Sequence, residues 1–533
     1  MACTFAHSRC CSWPAAIPRV SLARARRPAG PRRRPKVEAR VEASKPRHCE
    51  APTDREALGP FRSWVAEGTP ASRAWLSGGL LAGDLDSDGY LDVVTPLEQE
   101  ARLFRGRPNN MAPYTERLSG FDLSEGTGGS LADVDGDGDL DLLVLRYDAP
   151  AVLLRNDGRG HFQDVSAALP IAVSGPTTSS AWADIDLDGD LDLFVGSYGY
   201  VEDEDRPARS YLFENEGDGT FTDRSAELPE VLHQGYTRVG GFHDLDGDGY
   251  PELYVVNDVG SVAPNVLLRN HYGHFYLDEE SGLDLQMAGG GLGVGDIDGD
   301  DVPDLLIPQW DDLSLMLSGP GGRWIESAPS RNLIPGPDQR VGWGAELADL
   351  DNDGDLDAIV EYGTIAEPPV PGWDNPEHQP DALFLQQDDG TFIDVAAEWG
   401  VADDGKNRGV IVADFDGDGW LDLAKRDLDG PSTMYVSRCG ENHWLEVRLG
   451  DPGVRNRSAV GARVRVFGED GDAWSRWITA GGTGYGTGGP PIVHFGLGPR
   501  ERIDHIEVRW PDGAESVVAE DFGVDQLVTI TRE

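Results

Sequence analysis

The run DVDGDGDLD at residues 133–141 places five carboxylates in nine residues. Six similar runs stand elsewhere: DLDSDGYLD at 84–92, DIDLDGDLD at 184–192, DLDGDGYPE at 244–252, DIDGDDVPD at 296–304, DLDNDGDLD at 349–357 and DFDGDGWLD at 414–422. Their starts are 49, 51, 60, 52, 53 and 65 residues apart, and self-similarity at such a period marks a repeat architecture. A single Asp-Gly turn between strands is commonplace. Seven acidic runs in step call for another reason, because carboxylates this close repel one another unless a cation lies among them.

The spacing fits a hard divalent ion. Ca²⁺ takes six to eight oxygens at roughly 2.3–2.6 Å, whereas Mg²⁺ holds on to its waters. Carboxylates at positions 1, 3 and 5 turn inward when the chain curls around an ion, and glycine at position 6 permits the sharp turn. Position 7 offers its carbonyl and position 9 closes the shell. The candidate ligands are Asp84, Asp86, Asp88 and Asp92; Asp133, Asp135, Asp137 and Asp141; Asp184, Asp186, Asp188 and Asp192; Asp244, Asp246, Asp248 and Glu252; Asp296, Asp298, Asp300 and Asp304; Asp349, Asp351, Asp353 and Asp357; and Asp414, Asp416, Asp418 and Asp422. Up to seven Ca²⁺ are expected. Two loops depart from the pattern: Asp301 stands at position 6 of the fifth, and the fourth ends in Glu252.

Short, mostly apolar, partly β-branched segments follow every loop (LDLLVLRY, LDLFVGSY, PELYVVND), so each loop leads into a strand. Between loops lie strand–turn–strand marks such as LLRNDGRGHFQDVS (153–166) and LFLQQDDGTFIDVA (383–396), with an aromatic after each turn: Tyr114, Phe162, Phe221, Phe275, Trp324 and Phe392. The seventh mark is missing after Asp422. GPFRSWVAEG (59–68), ahead of the first loop, has the rhythm of GTFIDVAAEWG (390–400). An N-terminal strand that completes the last repeat would remove the free sheet edge, with Phe61 beside Met434–Ser437.

Charge is unevenly spread. Residues 1–50 hold 12 of the 45 Lys/Arg and 3 of the 94 Asp/Glu, leaving 33 basic against 91 acidic groups in the body. So acidic a body repels nucleic acid and anionic lipid and attracts cations. No apolar run reaches the ~20 residues of a spanning helix. The Arg- and Pro-rich residues 1–55 read as a disordered basic leader. Pro14, Pro18 and Arg19 break the apolar stretch a secretory signal needs, and KPRHC is not a lipobox. A transit-type peptide and a misassigned start both remain open for it. Four of the five cysteines (Cys3, Cys10, Cys11, Cys49) fall in the leader and only Cys439 in the body, which excludes a disulfide scaffold there.

The repeats resemble the FG-GAP/VCBS repeats of integrin-α-like propellers, whose Asp-x-Asp-x-Asp-Gly-x-x-Asp loops bind Ca²⁺. The resemblance covers residues 56–440 and implies an all-β, seven-bladed propeller. The tail is similar to the ASPIC/UnbV module of the cartilage acidic protein family, through NHWLEVRL (442–449), VGARVRVF (460–467), HFGLG (494–498) and VRWPDG (508–513). It implies a small β-sandwich over 441–533. Where the family has a more polar stretch before HFGLG, this chain has GGTGYGTGGPP (481–491). Lacking Gly-Lys-Ser/Thr, that stretch reads as a plain hairpin or flexible loop rather than a phosphate loop.

No catalytic motif stands out among the 11 histidines, and no Gly-x-Ser-x-Gly elbow occurs. His243, Trp182 and Trp343 read as blade residues. Arg238 and Arg408 each stand six residues before a loop, and Arg340 nine before. They either pair with loop carboxylates or converge unpaired on the axis as an anion site. The leading reading is a non-enzymatic, calcium-binding adhesion or interaction module with a protein or glycan partner. Extracellular Ca²⁺ modules bind in the ~10⁻⁴–10⁻³ M range, which implies an extracellular, periplasmic or cell-surface address. The alternatives are an enzyme or enzyme accessory with its site at the propeller axis, and a purely structural subunit.

Overall fold

Each acidic loop joins two antiparallel strands, and its ninth residue is the first residue of the second strand. In the first repeat Leu81–Gly83 leads through the loop to Asp92–Pro96, then Ala101–Arg107 and Asn110–Pro113, forming a four-stranded antiparallel sheet in that order. The computed structural model describes residues 35–41, 59–61, 77–107, 110–169, 176–199, 209–336, 339–365, 378–428, 430, 432–437, 440–519 and 523–533. Among these residues the same four strands recur as a sheet seven times, and in the third Ala480–Gly481 adds a fifth strand. Its first strands are Leu81–Gly83, Gly126–Ala132, Thr177–Ala183, Thr237–His243, Gly293–Gly295, Gly342–Ala348 and Asn407–Ala413. The sheets are the blades of a β-propeller.

Apolar cores between successive blades hold the ring together. Leu81, Val94, Leu131 and Leu142 join blades one and two. Ala181, Phe194, Phe242 and Leu253 join three and four. Leu80, Ala82, Ile411 and Ala424 join the seventh back to the first. The ring closes as the sequence rhythm predicts. Gly59–Phe61 is the outermost strand of the seventh blade, with Gly59 opposite Val436, Pro60 opposite Tyr435 and Phe61 opposite Met434.

The C-terminal segment forms two more four-stranded sheets. One holds Ala473–Trp477, Arg463–Gly468, Ile503–Arg509 and Glu515–Val518. The other holds His443–Gly450, Ile492–Gly498 and Gln526–Arg532, with Val37–Val41 as its edge. Here the reading of residues 1–55 as disordered is corrected, since Val37–Val41 pairs with Val528–Arg532 over five residues. Alternation is the cause. Val37 and Ala39 pack against the sandwich core while Glu38 and Arg40 face water, so this short stretch completes a half-buried strand. The rest of the expected leader, 1–34 and 42–55, lies outside the described residues. Leu445, Val447, Val464, Phe495 and Ile506 belong to one core with Trp182, Leu193 and Phe213 of the blades, and residues 35–533 form one compact unit.

GGTGYGTGGPP is not a free loop. Thr483 pairs with Thr487 as in a hairpin, but the hairpin is buried against the first strands of all seven blades. Trp182 pairs with Ala480, Leu292 with Gly484 and Leu81 with Gly488. Glycines on the first strands make room for it. A Cβ on Gly79, Gly241 or Gly291 would lie 2.3, 2.5 or 2.6 Å from a hairpin carbonyl oxygen. The sandwich therefore sends a glycine-rich plug down the propeller axis, and the glycines on both sides allow backbone to touch backbone.

Two tests follow from this packing. Gly482 has φ +81° and a Cβ there would meet Gly241 Cα at 2.7 Å. Gly482→Ala is expected to destabilise the chain by about 1–3 kcal/mol, while Gly489→Ala, with nothing within 4 Å, stays within about 0.5 kcal/mol; urea titration reads both. A chain lacking residues 56–68 exposes the edge strand Thr433–Val436 and should melt below the full chain.

Candidate metal centres

The loops share one backbone path. Position 4 takes a left-handed conformation even where it is not glycine: Ser87, Leu187 and Asn352 have φ 57°, 62° and 58°. Position 6 does so too, and Asp301 adopts φ 69° there, so the fifth loop keeps its shape without the glycine. The curl aims N–H groups at the first carboxylate. Gly89 donates to Asp84, Gly138 to Asp133, Gly189 to Asp184, Gly249 to Asp244, Asp301 to Asp296, Gly354 to Asp349 and Gly419 to Asp414. The position-5 carboxylate accepts from position 7 in every loop, as in Tyr90 N–H to Asp88 at 3.0 Å and Trp420 N–H to Asp418 at 2.9 Å.

Position 9 is more than a shell-closing ligand. Asp92 accepts from Leu85 N–H at 3.0 Å and from Gly106 N–H, on the third strand, at 2.8 Å. Asp141, Asp192, Glu252, Asp304, Asp357 and Asp422 do the same in their blades. All seven are buried.

Carboxylate oxygens converge within 4.8 Å of one another in Asp84/Asp86/Asp92, Asp133/Asp135/Asp141 and Asp184/Asp186/Asp192. In the fourth and fifth loops the converging trio is Asp244/Asp246/Asp248 and Asp296/Asp298/Asp300, without Glu252 or Asp304. These clusters could hold metal ions, and their donor set, all oxygen, suits a hard cation. Burial, reinforced by neighbouring carboxylates, pushes Asp133 up to about 7, Asp184 to about 8 and Glu252 to about 9. Burial likewise pushes Asp92 to about 7 and Asp141 and Asp304 to about 8. Asp86 Oδ1 and Asp244 Oδ1 are buried with no hydrogen-bond partner. Arginines reach three of the clusters from the third strand: Arg105 to Asp88 at 2.9 Å, Arg155 to Asp135 at 2.8 Å and Arg269 to Asp246 at 3.3 Å.

The sandwich sits on the loop side of the propeller. Arg457 donates to Asp137 O at 3.0 Å and Arg509 to Gly247 O at 2.7 Å; Arg465 pairs with Asp301 at 2.9 Å, and Asn442 donates to Asp351 O at 2.9 Å. Sequence reasoning missed this cover. The glycines matched between first strands and plug, and the arginines of the tail, were its available signals.

Other groups meet the arginines before the loops. Arg238 opens a first strand whose far end is the loop, so it lies at the opposite end of the blade. It pairs there with Asp258 at 2.6 Å. Arg238 and Arg408 both lie over the Trp343 ring, 5.0 and 3.7 Å from its centroid, with Tyr485 of the plug against Trp343. Arg340 donates to Pro380 O at 2.9 Å and lies over Tyr362. The first two converge, but on aromatic rings and a carboxylate rather than as an open anion site. His243, Trp182 and Trp343 are buried blade residues.

The FG-GAP-like repeat family matches residues 133–195 and 244–307, and the ASPIC and UnbV family matches 453–533. The chain carries FG-GAP-like repeats and an ASPIC and UnbV segment. It is homologous to cartilage acidic protein 1 of Homo sapiens, 24% identical over 500 residues, covering 80% of this chain and 74% of that protein. The Mus musculus protein is 25% identical over 499 residues, covering 79% and 76%. Among solved structures, a lectin of Agrocybe aegerita that recognises non-reducing terminal N-acetylglucosamine aligns at TM-score 0.38 with 17% identity, over 68% of this chain and 94% of its own. BBS1N in complex with ARL6DN aligns at 0.43 with 11% identity, over 73% and 99%. No helix among the described residues is long and apolar enough to cross a membrane.

Between this FG-GAP propeller and its ASPIC and UnbV sandwich lies a cavity of about 740 Å³, lined by His243, Glu346, Trp444, Arg476, Trp477 and His494 among others. Burial pushes Glu346 up to about 8, opposed by the Thr483 hydroxyl at 3.1 Å. A carboxyl with a raised folded-state pKa binds its proton more tightly when folded, so its stability contribution is lost as pH rises from the ordinary value toward about 8. Glu346→Gln is therefore expected to gain stability relative to the parent between pH 5 and pH 9, read from paired thermal melts.

Proposed function

We propose that the seven acidic loops are calcium sites, formed by positions 1, 3, 5 and 9 of each loop, and that the protein is a non-enzymatic extracellular module that binds a protein or a glycan. The convergence of carboxylate oxygens in loops that share one backbone path carries this reading. Ca²⁺ supplies the positive charge that the raised carboxylates and the unpartnered oxygens of Asp86 and Asp244 call for. The chain's own residues do the positioning: the left-handed residues at positions 4 and 6 curl the loop, and the position-9 carboxylate ties it to the third strand.

The placement of free surface supports an interaction role. The plug fills the axial channel, which weighs against an active site there, and the sandwich covers the loop side. What remains for a partner is the opposite side, the sandwich surface and the outermost strands. On those strands Tyr276 and Ile325 stand 55% and 58% exposed, together with Leu277 and Ile393. The strongly acidic body favours a basic partner or one bridged by further cations.

Thermal melts of the full chain in millimolar Ca²⁺, in Mg²⁺ and in chelator test the calcium reading. Mass action predicts a Ca²⁺-selective rise in the melting temperature, about 2.7 kcal/mol per site at a hundredfold excess over Kd. An identical melt in all three, with no calcium found by metal analysis, would overturn it.

A further inference from the structure

At the fourth residue of its second strand one blade differs from the other six by carrying a charge. These fourth residues are Thr95, Val144, Val195, Val255, Ile307, Val360 and, in the seventh blade, Lys425. This lysine is 1% exposed, in the core that blades six and seven share through Leu383, Leu385, Val401, Val410 and Leu423. Two buried carboxyl groups face it from blade six. Asp381 Oδ2 is in contact with Lys425 Nζ, and Glu361 Oε1 lies 3.5 Å from it. An ion pair alone needs one carboxylate, and burying a second without a partner is strongly unfavourable. Neither Glu361 oxygen has a hydrogen-bond partner. Burial and the charge of Asp381 push the Glu361 carboxyl well above its ordinary value against the pull of Lys425, whose ammonium Asp381 and Glu361 in turn hold above its own.

Around Asp381 the remaining groups hold its two oxygens and the amine in place. Tyr362 N–H donates to Oδ1 at 2.7 Å, Asn407 Nδ2 donates to Oδ2 at 2.7 Å, and Val401 O accepts from Lys425 Nζ at 3.0 Å. Asp403 lies further out, held by the Tyr435 hydroxyl at 3.2 Å. An amine, a carboxyl group and a second carboxyl able to carry protons are thus fixed together away from bulk water. Such juxtaposition replaces the encounter of two reactants.

We propose that Lys425 and Asp381 condense into an amide, Lys425 Nζ to Asp381 Cγ, with Glu361 as the catalytic residue that moves the protons. Lysine passes a proton to the carboxylate pair, and the neutral amine attacks Cγ. Oδ1 takes up negative charge opposite the Tyr362 N–H, as in other acyl transfers. The Cγ–Oδ2 bond then breaks. Glu361 delivers a proton from the attacking nitrogen to Oδ2, which leaves as water. The ammonium and the carboxylate become one amide and one water, so no oxidant, metal or activated donor is required. The product joins blades six and seven covalently across their shared core.

Mass spectrometry of the denatured full chain with peptide mapping tests this. The parent should be lighter than its sequence by one water, and Lys425 should appear only in a branched peptide that also contains Asp381. Lys425→Arg, whose guanidinium does not deprotonate, should show the full mass of its sequence, and Glu361→Gln should lose most of the water deficit. Recovery of Lys425 in linear peptides of the parent at full mass would overturn the proposal, a result that does not depend on any variant folding.

Discussion

At the start of every second strand a buried carboxylate accepts one N–H from the loop before it and one from the third strand beside it. This pair of bonds fixes the loop against its blade at the point where the chain reverses. It also determines where the other carboxylates stand, since positions 1, 3 and 5 are presented by a loop whose two ends are held. A buried carboxylate with two backbone donors loses less on leaving water than a bare one, yet burial still drives these groups well above the ordinary carboxylate range. The blades are thus built around charge that their own backbone only partly offsets, and a cation among the remaining oxygens completes the balance.

The same electrostatic surplus orients the rest of the molecule. The tail brings Arg455, Arg457, Arg465 and Arg509 to the loops, meeting either their carboxylates or their carbonyls. At the other end of the axis the buried positive charge of Arg238 is met by Asp258 and by aromatic faces. Between these two ends the glycine hairpin occupies the channel, and Tyr485 at its tip touches the aromatic cluster. Propeller and sandwich therefore share hydrogen bonds and core from one end of the axis to the other.

Much of this was legible in the residues. The period of the Asp-x-Asp-x-Asp loops, the apolar stretch after each and the displaced hairpin mark near Phe61 were enough to reach a closed ring of repeats, because all three are local patterns repeated in step. The dual bonding of position 9 was not legible, since an aspartate that binds backbone and one that awaits an ion occupy the same place in the motif. The plug escaped for another reason. A glycine on a strand reads as weakness until the backbone that passes over it is known, and Gly79, Gly241 and Gly291 meet that backbone only through contacts with residues far along the chain. Val37–Val41 was hidden by composition: five residues of useful alternation sit among arginines and prolines. For the arginines before the loops two readings stood open, and sequence adjacency could not choose between them, because an extended strand carries its two ends about 3.3 Å apart per residue.

The pairing of Val37–Val41 with Val528–Arg532, and of Gly59–Phe61 with Met434–Val436, sets an order for assembly. Both early segments leave the ribosome long before their partners exist. The first-made strands are the last to be placed: the ring waits for Met434–Val436, and the second sheet of the sandwich waits for Val528–Arg532. Until then each exposes an open edge. The molecule is in effect tied at its two ends after the middle has folded, and a nascent chain halted between residues 394 and 433 would hold six blades with no way to close.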